Sequence, residues 1–147
     1  MTPNDVARLR DITGAGVMDC KKALDDAGGD FEKAKSLIFE RGIVKAERKS
    51  ERRTGSGLIE TYIHNNRIGV LLEVRCETDF VARNSDFRAF VRDIAMQIAS
   101  MNPNDIDELL SQPFVREDSI TIGELLSRLI AKIGENIKVE KFCRYEL

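Results

Sequence analysis

The chain has 147 residues, 42% of them hydrophobic and 33% charged, with a formal net charge of −2; a disordered tail and a collagen-like fibre are excluded, and one or two small globular domains fit. Three widely spaced cysteines and a single histidine support neither a disulfide framework nor a zinc site. No apolar run reaches membrane-spanning length and the N-terminus lacks the basic and apolar regions of a signal peptide, so a cytoplasmic protein is expected.

Charge is uneven along the chain. Residues 1–54 carry 12 basic and 10 acidic side chains, whereas residues 55–147 carry 11 and 15, which predicts two domains, 1–53 and 54–147. The first reads as three short helices. Val6, Leu9 and Ile12 recur at helical spacing until Thr13-Gly14-Ala15-Gly16 interrupts the pattern. Val17 to Ala27 follows, with Val17, Cys20, Leu24 and Ala27 on one stripe and Met18 turned toward water. Asp30 caps a third helix whose buried stripe is Phe31, Ala34, Leu37 and Ile38. From Arg41 to Arg53 there are six basic and two acidic residues, expected to form a solvated helical extension that runs into a linker at Thr54-Gly55-Ser56-Gly57.

After the linker the period changes from about 3.6 to 2. Leu58 to His64 and Ile68 to Cys76 are two strand-like runs joined by Asn65-Asn66-Arg67, a hairpin signal. Phe87, Phe90, Val91, Ile94, Ala95, Ile98 and Met101 then define a strongly amphipathic helix. A short helical piece is predicted at 106–111, Pro113 breaks the chain, and Thr121-x-x-Glu124 caps a helix that Gly134 closes. Ile137, Val139, Lys141, Cys143, Tyr145 and Leu147 alternate with polar residues as a half-exposed final strand.

The order β-β-α-α-β predicts an α+β fold, a three-stranded antiparallel sheet with helices on one face, preceded by the three helices. Such a sheet leaves an edge or a face to be covered by a partner or a second copy of the chain.

An enzyme needs a nucleophile, a base and electrophilic groups converging on a pocket. None of the usual phosphate-loop, dinucleotide, metalloprotease or hydrolase motifs is present, and His64 falls beside a hairpin turn. No cofactor or metal is expected, and the acidic balance argues against a dedicated nucleic-acid binder. Two places break the core-facing pattern. One is Met18, either a scattered exposed apolar residue or a flexible partner contact with Arg10, Lys21 and Lys22 nearby. The other is Glu77-Thr78-Asp79-Phe80-Val81-Ala82, where Phe80 is either a core aromatic or an anchor standing out on a rigid corner. Spacing alone does not choose between these readings.

Leu9-Arg10-Asp11-Ile12-Thr13-Gly14-Ala15-Gly16-Val17-Met18-Asp19-Cys20-Lys21-Lys22-Ala23-Leu24 resembles the N-terminal signature of the bacterial elongation factor Ts family. Glu77-Thr78-Asp79-Phe80-Val81-Ala82 is similar to its second signature and Gly134-Glu135-Asn136-Ile137 to a third stretch, in the family's order. The resemblance implies a ubiquitin-associated-like domain at 1–53 and a core domain at 54–147. It also implies guanine nucleotide exchange on the GTPase elongation factor Tu, with no reaction catalysed. Arg10, Val17 and Met18 match positions that touch that GTPase, with Lys21 beside them. Thr78, Asp79, Phe80 and Val81 match the segment that dislodges its Mg²⁺. Many members carry a second copy of the core subdomain; this chain resembles the short form, whose members pair as homodimers. That implies a homodimer through the C-terminal strand region, with Cys143 there a free thiol in the cytosol. The competing reading from composition is an adaptor module whose basic run at 41–53 touches RNA or an acidic surface.

Overall fold

The computed structural model describes residues 2–147. Thr2 opens the first helix: its hydroxyl accepts the Asp5 N–H at 3.2 Å, while the Asp5 carboxylate accepts the Thr2 N–H at 2.8 Å. Those bonds hold the Asp5 carboxyl below its ordinary pKa. Helix α1 (Pro3–Thr13) ends at Gly14, α2 (Val17–Asp26) follows, and Asp30 caps α3 (Phe31–Lys49) by accepting the Lys33 N–H. Val6, Leu9, Cys20, Ala23, Leu24, Ala27, Ala34 and Ile38 form the core of this three-helix part.

Three positions depart from the predicted stripes. Ile12, in the last turn of α1, is exposed. Val17 is also exposed: it is the first helical residue, and a side chain that leans back toward the helix N-terminus has no preceding turn to cover there. Residues 41–49 form the expected helical extension and most of them are solvated, but one face is not. They continue α3, and that face packs on α7 (Ile122–Ile133). Gly42 and Ala46, one turn apart, permit that approach: a Cβ on Gly42 would sit 3.4 Å from the Ala131 Cβ, and Ala46 is buried in the second core. The Arg128 guanidinium adds a contact 3.7 Å from the Phe39 ring centre. The basic composition hid this face because its buried residues, Gly42 and Ala46, are small and carry little hydrophobic signal.

Strands β1 (Ser56–His64), β2 (Ile68–Cys76) and β5 (Ile137–Glu146) form an antiparallel sheet in the order β1-β2-β5. The fold is α+β, as expected. The hairpin turn uses Asn65 and Asn66, both at positive φ. Val70, Leu72, Val74 and Cys76 face inward onto α5 (Ser85–Met101), whose Phe87, Phe90, Val91, Ile94, Ala95 and Ile98 are buried as the periodicity predicts, whereas Met101, at the helix end, is exposed.

The last strand does not keep its predicted alternation. The register with β2 shifts between Glu73, opposite Lys141, and Val74, opposite Val139, so Glu140 is an extra residue. Ile137 and Val139 face the core, but after the bulge Phe142 and Arg144 face inward and Cys143 and Tyr145 are exposed. Arg144 then reaches the end of α5, donating to the Ala99 carbonyl from Nε at 3.2 Å and Nη2 at 3.0 Å.

A small hairpin, β3 (Pro113–Phe114) with β4 (Glu117–Thr121), follows α6 (Ile106–Ser111) and was not predicted. Gln97, fully buried on α5, holds it. Its amide nitrogen donates to the Pro113 carbonyl at 3.0 Å, and its amide oxygen accepts the Val115 N–H at 2.9 Å. Gln97→Leu removes both bonds to the hairpin and is expected to cost about 2 kcal/mol in urea unfolding; a change below about 0.5 kcal/mol would show the hairpin is held otherwise.

Candidate functional site

β2 ends at Cys76, and the chain turns into α5, which starts at Ser85, through a single helical turn, α4 (Asp79–Ala82). Thr78 caps that turn, its hydroxyl accepting the Val81 N–H at 3.3 Å. Consecutive residues on a turn point about 100° apart, so the corner splits its two apolar side chains. Val81 is buried in the core, whereas Phe80 is 79% exposed. Phe80 is therefore not a core aromatic, and Asp79 beside it is also exposed. Val81, placed with the contact residues from the sequence, faces the interior and serves as the internal anchor of the turn.

The base of this corner is held from the far end of the chain. The Glu135 carboxylate accepts the N–H groups of Glu77 and Thr78, each at 3.1 Å, and the Thr78 hydroxyl at 2.8 Å. In return the Glu77 carboxylate accepts the Asn136 N–H at 2.6 Å and lies 3.6 Å from Arg52. The buried Asn136 amide donates to the carbonyls of Arg52 at 2.9 Å and Ser50 at 3.4 Å. The end of α3, the corner and the α7–β5 turn thus meet in one network. Cys76 lies beneath it, and burial, with the Glu135 charge second, pushes its thiol up to about 11. Sequence reading singled out residues 134–137 only as a stretch; the pairing with residues 77–78 spans too much chain for local spacing to reveal.

The N-terminal candidates also come together. Arg10, Val17 and Lys21 line a shallow groove of about 410 Å³ with Thr2, Pro3, Val6 and Ala7. Met18 stands beside Val17, 73% exposed, so it does face water. The preceding Gly14 turn is braced by α7: a Cβ at Gly14 would fall 2.8 Å from the Lys132 side chain, whose ammonium pairs with Asp86 at 3.1 Å. Both protrusions are therefore tied to the C-terminal end of α7, by Lys132 and by Glu135.

The sheet face away from the helices carries an exposed apolar patch bordered by Glu73 and Lys141. Ile63, Gly69 and Tyr145 form one cross-strand row, Thr61, Leu71 and Cys143 the next, and Ile59, Glu73 and Lys141 a third. Ile59, Ile63, Leu71 and Tyr145 are all exposed. The bulge at Glu140 is what brings Cys143 and Tyr145 to this side.

A cleft of about 510 Å³ between the α1–α2 turn, α3 and α7 has no histidine or cysteine in its wall, and two of its side chains are paired across it, Lys45 with Asp19 at 3.0 Å. Among the described residues no cluster of His, Cys, Asp and Glu is arranged to hold a metal, and no helix is long and apolar enough to cross a membrane.

Comparison with known proteins places these features in context. Residues 77–147 match the family model described as elongation factor TS. The chain is 39% identical to the elongation factor Ts of Alkaliphilus oremlandii, an alignment covering 100% of this chain and 89% of the relative. It is 38% identical to that of Thermodesulfovibrio yellowstonii, over 100% and 96% of the two chains, and 40% identical to that of Rubrobacter xylanophilus, over 97% and 96%. The first alignment spans 192 positions against 147 residues here, so that relative carries segments with no counterpart in this chain.

Proposed function

The chain belongs to the elongation factor Ts family, and from that premise we propose that it is a cytoplasmic guanine nucleotide exchange factor, binding elongation factor Tu in its GDP form and speeding GDP release during translation elongation. The observation that carries the reading is Phe80: a large apolar ring, 79% exposed, beside a carboxylate, on a turn held by carboxylate hydrogen bonds. A ring left in water costs the free protein the burial it forgoes, and its natural use is to be buried in a partner.

In this reading Thr78, Asp79 and Phe80 enter the GTPase near its metal site, with Val81 supporting them from within. The displaced elements are those that hold Mg²⁺ and the nucleotide phosphates. Once Mg²⁺ leaves, the largest positive charge neutralising those phosphates is gone and GDP dissociates. The factor transforms no substrate. It works because its own binding and that of GDP disfavour each other by one reciprocal coupling free energy, through a transient ternary complex.

Residues 1–53 act as a ubiquitin-associated-like domain that brings Arg10, Val17, Met18 and Lys21 to the GTPase as a second contact, and residues 54–147 as the core domain. Exposed Met18 supplies an adaptable apolar contact and the two cations steer approach to an acidic surface. The apolar outer face of the sheet pairs with that of a second copy, giving a homodimer.

The test is release of fluorescent GDP from the cognate elongation factor Tu. Adding the chain in excess is expected to accelerate release by at least about a hundredfold when Mg²⁺ is present, and by less when Mg²⁺ is chelated, because spontaneous release is then already fast. A chain that binds the GTPase without changing the release rate would sink the exchange-factor reading in favour of an adaptor.

A further inference from the structure

We propose that Glu135 is a positioning residue for the Phe80 protrusion, the carboxylate that keeps the exposed ring aimed. The inference rests on the exchange-factor reading and adds a role for the third sequence stretch. Helix α4 is a single turn of four residues, and a single turn does not hold itself together in water. Something outside it must fix its direction. Glu135 follows Gly134, which ends α7 at a φ of +87° and so turns the next side chain back toward β2.

The carboxylate then accepts three bonds at the root of the protrusion, from the Glu77 and Thr78 N–H groups and from the Thr78 hydroxyl. The last sets the cap. With its proton directed to Glu135, the Thr78 oxygen presents a lone pair to the Val81 N–H, which pins Val81 inward and leaves Phe80 outward. The reciprocal bond from the Asn136 N–H to Glu77 closes the ring, and Asn136 extends it to the end of α3. Phe80 touches the partner; Glu135 acts through it by removing the orientations in which the ring would miss.

The experiment measures fluorescent GDP release from elongation factor Tu against concentration of the full chain, for wild type, Glu135→Ala, Glu135→Gln, Phe80→Ala and the Glu135→Ala/Phe80→Ala double variant, each with a thermal melt. Glu135→Ala is expected to lower the release rate at saturation about tenfold. Glu135→Gln, whose carbonyl oxygen still accepts the two N–H groups but whose NH2 cannot accept the Thr78 hydroxyl, recovers only part of that loss. On the Phe80→Ala background Glu135→Ala changes nothing further, because the group it aims is gone. An equal loss on both backgrounds, or no loss at saturation, overturns the proposal while leaving the exchange-factor reading intact. If Phe80→Ala itself releases GDP as wild type does, the wedge reading fails first. Amide hydrogen exchange of wild type supplies an arm that needs no variant to fold: the Glu77 and Thr78 N–H groups are expected to be protected, and rapid exchange there overturns the clamp.

Discussion

Phe80→Ala is expected to lower the factor-stimulated rate of GDP release about a hundredfold while moving the melting temperature by no more than about 2 °C. The two halves of this expectation share one cause. The ring is 79% exposed and its neighbour Val81 holds the turn in the core, so truncation removes little that the free protein uses. In the proposed complex the ring would enter a gap between packed elements, and a gap left half filled would no longer force them apart. Asp79→Ala is expected to cost about tenfold in the same assay, since an exposed carboxylate contributes charge rather than bulk. Thr78→Val removes the cap and a hydrogen bond to Glu135, so it belongs with the positioning group and should depress both stability and rate. A Phe80→Ala chain with an unchanged release rate and an unchanged melt would end the assignment of this corner.

Leu71→Glu is expected to turn a dimer into a monomer, weakening self-association by at least about a thousandfold in sedimentation equilibrium. Leu71 lies on the central strand, between Thr61 and Cys143 in the cross-strand row, with Ile63 and Tyr145 in the next row. In a twofold interface each substitution enters twice, so two carboxylates are buried where two leucines would have met. The substitution faces away from the core, and the fold of the isolated chain is expected to survive it. Cysteine chemistry gives a second readout. Cys143 is exposed in the single chain while Cys20 and Cys76 are buried, and burial raises both of those thiols above their ordinary value. A maleimide is expected to label Cys143 quickly in Leu71→Glu and slowly in wild type at concentrations where it is dimeric, leaving the other two cysteines untouched. A wild-type chain that sediments as a monomer at every concentration tried would refute the pairing of sheet faces.

What the sequence determined by itself was most of what near neighbours in the chain carry, Ile12 and Val17 at helix ends excepted. The buried stripe of α5, the Asp30 and Thr121 caps, the stops at Gly14 and Gly134, and the Asn65-Asn66 hairpin are decided within a turn or two. So is the outward direction of Met18. The two pattern-breaking places were visible for the same reason, although spacing left open whether each was structural or a contact. Tertiary structure decided the rest, because each remaining question depends on residues far apart in the chain. Whether Phe80 or Val81 is buried depends on how α4 meets the sheet. The faces of Cys143 and Tyr145 follow from one extra residue at Glu140, an irregularity that strict alternation conceals. Gly42 and Ala46 become a packing face only when α7 arrives beside them, and the hairpin at 113–121 exists because Gln97 is buried against it. Glu135 acquires its three partners only when the α7–β5 turn packs against residues 77–78, nearly sixty positions earlier in the chain. Local spacing records which side chains are able to turn inward together; which carboxylate meets which N–H is settled by packing between distant segments, and no local pattern encodes it.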